Sequence, residues 1–340
     1  MKRCLPFRSL LYHIRADTAN FSHSASPGGP RRGGSSHSGG PFSGGLFPFG
    51  MIRWVIRSFE NSPEKEVIGL DDSPLVSVVI PAHNAEKTLA PLLDSLLAQT
   101  WSNLQILITD DGSRDQTLAV ARRYEQQDSR ITVLSEAASG VSAARNRALP
   151  FCRGKYLRFA DADDTLPPES IALQVARAEK DGADLVISAY KEYIGDLSHY
   201  RCLVSREDTL NADENLRLLN RRSNSYFYGV LWNKLYLLDL ARDLRFDDNL
   251  HWGEDFAYNM AYLKNCESVS YMTAPVYDYR RSPQSATFRQ VLDSVLHPLK
   301  NIRIKRRLYG SLKDLYVARG AYPAFRHSLW IYLFRFGLDL

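Results

Sequence analysis

The chain has 340 residues, 44% of them apolar and 24% charged, enough to bury a proper core in one large or two ordinary domains. Lys and Arg outnumber Asp and Glu by 43 to 38, a surplus too modest to argue for nucleic acid, and the "ARR" and "NRR" clusters belong to no recognised nucleic-acid module. Cys4, Cys152, Cys202 and Cys266 are scattered without a C-x-x-C pair, so neither a zinc site nor a disulfide framework is indicated, and no apolar run is long enough to span a membrane.

The N-terminal "MKRCLPFRSLLYHIRADTANFSHS" is basic, with Asp17 its one acid. Its apolar stretch "SLLYHI" breaks off too soon for a secretory core, and a transit peptide is the alternative. From Ser22 the composition turns to Gly, Ser and Pro, which cannot offset the entropy of ordering. Residues 1–70 are therefore expected to be disordered, with Met51 an alternative start.

Order is expected from "PLVSVVIPAHN", whose β-branched, apolar residues suit a central parallel strand. Leu89, Leu92, Leu93, Leu96 and Leu97 then recur at helical spacing. "LQILITDDGS" reads as a second buried strand, "QTLAVARRYEQQ" as a helix and "ITVLSE" as a third strand. "GVSAARNRAL" opens a helix, "KYLRFADADD" is a fourth strand, "PPESIALQVARAEKDGA" a helix closed by Gly182, and "DLVISAY" a fifth strand. This alternation predicts an α/β domain with a mostly parallel sheet flanked by helices. Beyond Tyr193 it breaks down: "NADENLRLLNRR" and "VLWNKLYLLDLAR" read as helical, "HWGEDFAYNMAYLKNC" follows, and "VSYMTAPVYDYRRS" is an aromatic strand. The last fifty or so residues read as a helical extension ending in "FRHSLWIYLFRFGL", basic and aromatic. Such a helix suits peripheral contact with a membrane surface, or docking on its own domain or a partner subunit.

Ligands of open α/β sheets sit outside the carboxyl ends of the strands. There the first strand offers Pro81, His83, Asn84 and Glu86, the second Asp110, Asp111 and Ser113, and the fourth Asp161, Asp163 and Asp164. Taken singly, Asp111-Gly112 is an ordinary turn and Asp164 or Thr165 an ordinary helix cap; together they exceed what capping needs. The "DAD" of Asp161 and Asp163 offers only oxygen, which suits Mg2+ or Mn2+ rather than zinc. On an extended stretch the two would project to one side, and such a cation takes the rest of its shell from substrate phosphates. No P-loop, G-x-G-x-x-G or G-x-S-x-G pattern stands where it would be needed.

"SVVIPAHNAEKTLAPLLDSLLAQTWSNLQILITDDGSRDQT", "GVSAARNRAL", "GKYLRFADADD" and "WGEDFAYN" occur in that order over about residues 75–285, and together they resemble a family 2 glycosyltransferase, the inverting type with a GT-A fold. The resemblance implies a nucleotide-diphosphate sugar donor and a divalent cation. It puts Pro81, His83, Asn84 and Glu86 near the nucleoside, Asp111 on a uracil-type base, and Arg145 on the base or phosphates. Asp163 becomes the direct metal ligand, with Asp161 nearer the ribose and metal shell, and "GED" supplies the general base, Asp255 first and Glu254 second. The ordinary reading of "GED" is that acids complement a helix dipole. Arg280 or Arg281 would clamp the diphosphate, or form a plain surface pair. Trp232 would offer a sugar-stacking face, or belong to the core.

No Q-x-x-R-W follows "GED", which favours transfer of one sugar over polymerisation. The expected organisation is a nucleotide-sugar-binding half at 71–193, an acceptor and catalytic-base half at 194–285, and a helical extension at 286–340. The expected activity is transfer of a sugar, UDP-linked by the base motif, to a glycan or glycolipid acceptor in polysaccharide assembly, in the cytoplasm or at the inner membrane face. Nucleotidyl transfer to a sugar phosphate and a catalytically dead nucleotide-sugar-binding protein are the alternatives.

Overall fold

The computed structural model describes residues 73–223, 225–250, 252–281 and 298–335. The segment expected to be disordered, 1–70, and residues 286–297 of the C-terminal extension lie outside the described residues.

The first half alternates as its sequence predicts. Strand β1 (Val76–Ala82) is buried along its whole length, as its unbroken apolar run requires. Helix α1 (Leu89–Leu97) buries Leu89, Leu92, Leu93 and Leu96, each such side chain stabilising by about 1.5–3 kcal/mol. Then come β2 (Leu104–Asp111), α2 (Thr117–Gln127), β3 (Ile131–Glu136), α3 (Val141–Ala148) and β4 (Tyr156–Phe159). Helix α4 (Ser170–Asp181) stops at Gly182, whose φ of 59° only glycine adopts freely, and β5 (Leu185–Ile194) follows.

The second half was less legible. Two short, mostly exposed strands, β6 (Leu197–Arg201) and β7 (Asp208–Asn211), precede α5 (Ala212–Arg221), which opens with a capping box between Asn211 and Glu214. After the one-turn helix α6 (Tyr226–Gly229), the stretch expected to be helical forms strand β8 (Lys234–Leu237) and then the short helix α7 (Leu238–Ala241). Helix α8 (Glu254–Leu263), strand β9 (Ser268–Arg281) and helices α9 (Pro298–Ala318) and α10 (Tyr322–Arg335) complete the described chain.

The nine strands form one sheet in the order β3-β2-β1-β4-β8-β5-β9-β7, with β6 added to β5. β1 to β4, β5 and β9 run one way; β8 lies antiparallel between β4 and β5, and β6 and β7 also run against the rest. The register of β1 with β2 and β4 brings the ends of all three to one edge. One further expectation is corrected there. β4 ends at Phe159, and the acidic residues form a turn closed by the Asp164 amide on the Asp161 carbonyl at 3.2 Å. They are not an extended stretch, so strand alternation does not govern where Asp161 and Asp163 point.

The C-terminal helices pack on the domain. Leu308 of α9 lies against Gly253 at the start of α8, and the Arg319 guanidinium donates to the Leu263 carbonyl at its end. Leu329 of α10 is buried, while Trp330 keeps 59% of its surface exposed. Among the described residues no helix is long and apolar enough to cross a membrane.

Candidate active site

The β1 edge is stitched to the β2 edge by its polar side chains. The His83 ring donates from Nδ1 to the Asp111 carbonyl at 2.7 Å, and Asn84, in the left-handed region at φ 52°, accepts from the Arg114 amide at 2.9 Å. Glu86 accepts from the Gln116 amide at 3.1 Å. Asn84 and Glu86 therefore hold one loop to another. Pro81 is buried in β1, and His83 stands exposed beside them.

Asp111 is buried, and its two oxygens accept the Ser139 and Gly140 amides at 2.7 and 2.9 Å. That carboxylate fixes the loop entering α3. The close approach depends on Gly112, where a Cβ would come 2.5 Å from the Ala138 nitrogen.

α3 carries Arg145 into the interior, with 4% of its surface exposed. Its Nη2 donates to Asp161 Oδ1 at 3.1 Å and its Nη1 to Asp255 Oδ1 at 2.7 Å, with Glu254 Oε1 at 3.8 Å from Nη1. One guanidinium thus ties the acidic turn after β4 to the first turn of α8, bridging residues about a hundred positions apart in sequence. Beneath it lies the Phe246 ring, 5.3 Å from the guanidinium carbon and stacked on Tyr258 at 4.2 Å. Asn146, the neighbour of Arg145 on α3, grips the Phe246 backbone at both its amide and its carbonyl.

Three carboxylates converge on this single cation. Asp255 is pushed up to about 8, first by burial and then by the charges of Glu254 and Asp161, against the pull of Arg145. Asp163 stands open to solvent at the tip of the turn, yet desolvation on the protein side and the Asp161 charge raise it toward about 6, with solvent contact limiting the rise. Asp164 is buried, accepts the Arg280 amide at 2.8 Å and is raised well above the ordinary range by burial and its two acidic neighbours. It pins the turn to β9 and caps no helix. The Tyr277 hydroxyl, which accepts the Asp161 amide at 3.0 Å, does the same from three residues earlier on β9. Sequence reasoning missed Phe246, set among charges in "LRFDD", and Tyr277, one of several aromatics in its strand, since neither carries a local signal of its distant partner.

Among the described residues no group of three or more metal-ligating side chains occurs. The oxygen donors at hand are Asp161 and Asp163, which suit a hard cation completing its shell from a ligand's phosphates. Arg280 lies over the Tyr193 ring at 5.3 Å, and Arg281 Nε is 3.3 Å from Glu192 Oε1. Trp232 is buried, stacked on Tyr277 at 4.5 Å and Tyr279 at 5.3 Å, so it belongs to the core and offers no open sugar face. Lys234, also buried, donates to the Phe227 and Val230 carbonyls and to Asn233 Oδ1 at 2.9 Å, holding the loop around α6. Burial pulls it down to about 7.

Known proteins resemble this chain in sequence and fold. EpsJ of Bacillus subtilis, described as an uncharacterized glycosyltransferase, is 28% identical over 265 residues, 74% of this chain and 76% of that protein. WfgD of Escherichia coli, a UDP-Glc:alpha-D-GlcNAc-diphosphoundecaprenol beta-1,3-glucosyltransferase, is 35% identical over 121 residues, 35% of this chain and 47% of its own length. The fold is that of S. aureus TarS 1-349 in complex with UDP-GlcNAc, at a TM-score of 0.59 and 20% identity over 71% of this chain and 67% of that one. The Glycosyl transferase family 2 model matches residues 77–245, from β1 through the acidic turn, with Glu254 and Asp255 just beyond it. That stretch, Arg145 and the acidic turn included, is thus similar to glycosyl transferase family 2.

Proposed function

We propose that this protein is a metal-dependent, inverting glycosyltransferase that moves one sugar from a UDP-sugar to an acceptor hydroxyl in polysaccharide or glycolipid synthesis. The observation that carries the reading is the Arg145 bridge, which gathers the acidic turn and the α8 carboxylates around one point. WfgD supports the donor and acceptor classes through the substrates in its name.

In this reading the half at 71–193 takes the donor, with Asp111 and the His83 loop beside the nucleoside, and the half at 194–285 takes the acceptor. Asp161 and Asp163 would hold a divalent cation, Mg2+ or Mn2+, whose positive charge would favour departure of the diphosphate. Asp255 accepts the acceptor hydroxyl's proton as that oxygen bonds to the anomeric carbon and the carbon–oxygen bond to the diphosphate breaks. Glu254 lies one residue away as the second carboxylate. Arg145 orients Asp255 by donating to its Oδ1. Attack opposite the leaving group inverts the anomeric centre. The reaction belongs at the cytoplasmic face, where α10 contributes peripheral contact with the membrane.

The test is turnover of a panel of UDP-sugars with Mn2+. Asp163→Ala and Asp255→Asn are both expected to abolish transfer, and Asp163→Ala alone to weaken metal-dependent UDP binding. Full activity in both variants refutes the assignment. Release of pyrophosphate in place of UDP would move the protein to nucleotidyl transfer.

A further inference from the structure

One wall of the second half carries, in order, three kinds of chemistry. Tyr226, at the start of α6, keeps 42% of its surface exposed and is backed by Trp232 and Tyr279, each 6.2 Å away between ring centres. Trp232 also stacks on Tyr277, whose hydroxyl holds the Asp161 backbone, so this aromatic shelf adjoins the acidic turn.

Two residues beyond Tyr279 on the same face of β9, about 7 Å along the strand, comes Arg281. Its Nε lies 3.3 Å from Glu192 Oε1, while Arg201 of β6 donates to Glu192 Oε2 from Nε at 2.9 Å and approaches it with Nη2 at 2.8 Å. Glu192 is 5% exposed, whereas the side chains of Arg201 and Arg281 keep 37% and 57% of their surfaces in solvent. A buried carboxylate therefore orients two guanidiniums that face outward. The cluster is continuous with the shelf: the Tyr190 hydroxyl feels the charges of Glu192, Arg201 and Arg281, and its ring meets Trp232 at 4.7 Å.

Past the arginines, Ile194 pairs with Arg281 in register and with Leu197 across the β5–β6 hairpin. These two apolar side chains are 43% and 68% exposed at its tip.

We infer that this wall is the acceptor track for a lipid-linked saccharide phosphate: the sugar lies on Tyr226, the phosphate on Arg201 and Arg281, and the lipid leaves across Ile194 and Leu197. Guanidiniums suit phosphate oxygens by shape and charge. An apolar pair just beyond them suits the hydrocarbon that a lipid carrier attaches to its phosphate. The inference rests on the proposed transferase reading and specifies its acceptor.

The experiment loads the protein with UDP and equimolar Mn2+, then titrates farnesyl diphosphate in detergent by calorimetry, with farnesol and inorganic pyrophosphate in parallel. Farnesyl diphosphate is expected to bind the loaded protein more tightly than either fragment. The triple variant Glu192→Gln/Arg201→Gln/Arg281→Gln, which leaves no buried charge unpaired, should weaken it by about tenfold or more. Leu197→Ser should weaken farnesyl diphosphate and leave pyrophosphate unchanged. An unchanged circular dichroism spectrum reports that both variants fold. Unaltered binding in the triple variant, loss of binding on UDP loading, or pyrophosphate binding as tightly as the lipid diphosphate each overturns the inference. Should UDP not bind at all, the donor reading fails, and the same titration on unloaded protein still decides the acceptor track.

Discussion

Arg145 is the residue on which most of the site's electrostatics turns. Its guanidinium is buried among Asp161, Glu254 and Asp255, so its removal would leave several carboxylates with no cation between them. Breaking a buried pair of this kind costs about 3–5 kcal/mol. Arg145→Met is therefore expected to unfold at a markedly lower denaturant concentration and to be inactive. Arg145→Lys keeps the charge, but an ammonium lacks the planar fork that spans Asp161 and Asp255. It should recover most of the stability and little of the turnover. Equal recovery of both would mean that the bridge serves folding alone.

The raised Asp255 carboxyl has a second consequence at this scale. Burial first, then Glu254 and Asp161, hold its proton up to about pH 8, whereas an unfolded aspartate releases it near about 4. The base form appears only as pH rises through the raised value, so kcat/KM should climb across the neutral to mildly alkaline range. Across the window between the two values the native state binds more protons than the unfolded one, and stability should fall as pH rises. The stability slope should flatten in Asp255→Asn, which has no ionisable group at that position. A rate profile already level from about pH 5 would contradict the buried-acid reading.

Among the elements, α8 is held at its first turn by a glycine. Gly253 adopts φ 78°, and a Cβ there would come 2.6 Å from Leu308 Cδ2. Gly253→Ala would strain the backbone by about 1–2 kcal/mol, while Leu308 is a flexible side chain that can turn aside. The variant is expected to lose that much stability and, because Glu254 and Asp255 follow directly, to lose turnover out of proportion. Adding Leu308→Ala should relieve the contact and not the backbone strain, so activity should stay low.

The same scale shows why the second half was harder to read. "VLWNKLYLLDLAR" is apolar enough for either a buried helix or a buried strand, and periodicity alone does not separate them. The edges of β4 and β5 decide the matter, since both pair with β8, and that pairing is invisible from within the segment. The acidic turn was legible as chemistry but not as geometry. Asp161 and Asp163 stood out by composition, whereas the turn is shaped by its contacts with β9 over a hundred residues away, Asp164 with the Arg280 amide and the Asp161 amide with Tyr277. Arg145 stood out in the sequence through its motif. Its bridging contacts depend on α3 and α8 meeting, and no local pattern encodes that.

Over the whole molecule, α8 is braced by the C-terminal helices. Leu308, Leu312, Leu315 and Tyr316 of α9 join the core, and Arg319, just past α9, closes the other end of α8. The Arg319 guanidinium donates to the Leu263 carbonyl at 3.2 and 3.3 Å and to the Cys266 carbonyl, satisfying groups the helix itself leaves open. Arg319→Ala would strip these acceptors of a charged donor, a loss of about 1–3 kcal/mol. The loops at the ends of β1 and β2, where the proposed function places the donor, are tied to each other by His83, Asn84 and Asp111, with no Arg319 contact among those bonds. UDP affinity should therefore stay close to that of the unaltered protein while the unfolding midpoint drops and kcat falls through a loosened α8. The measurement is a denaturant titration beside steady-state kinetics, and an equal loss of UDP affinity would show that the brace acts on the entire fold.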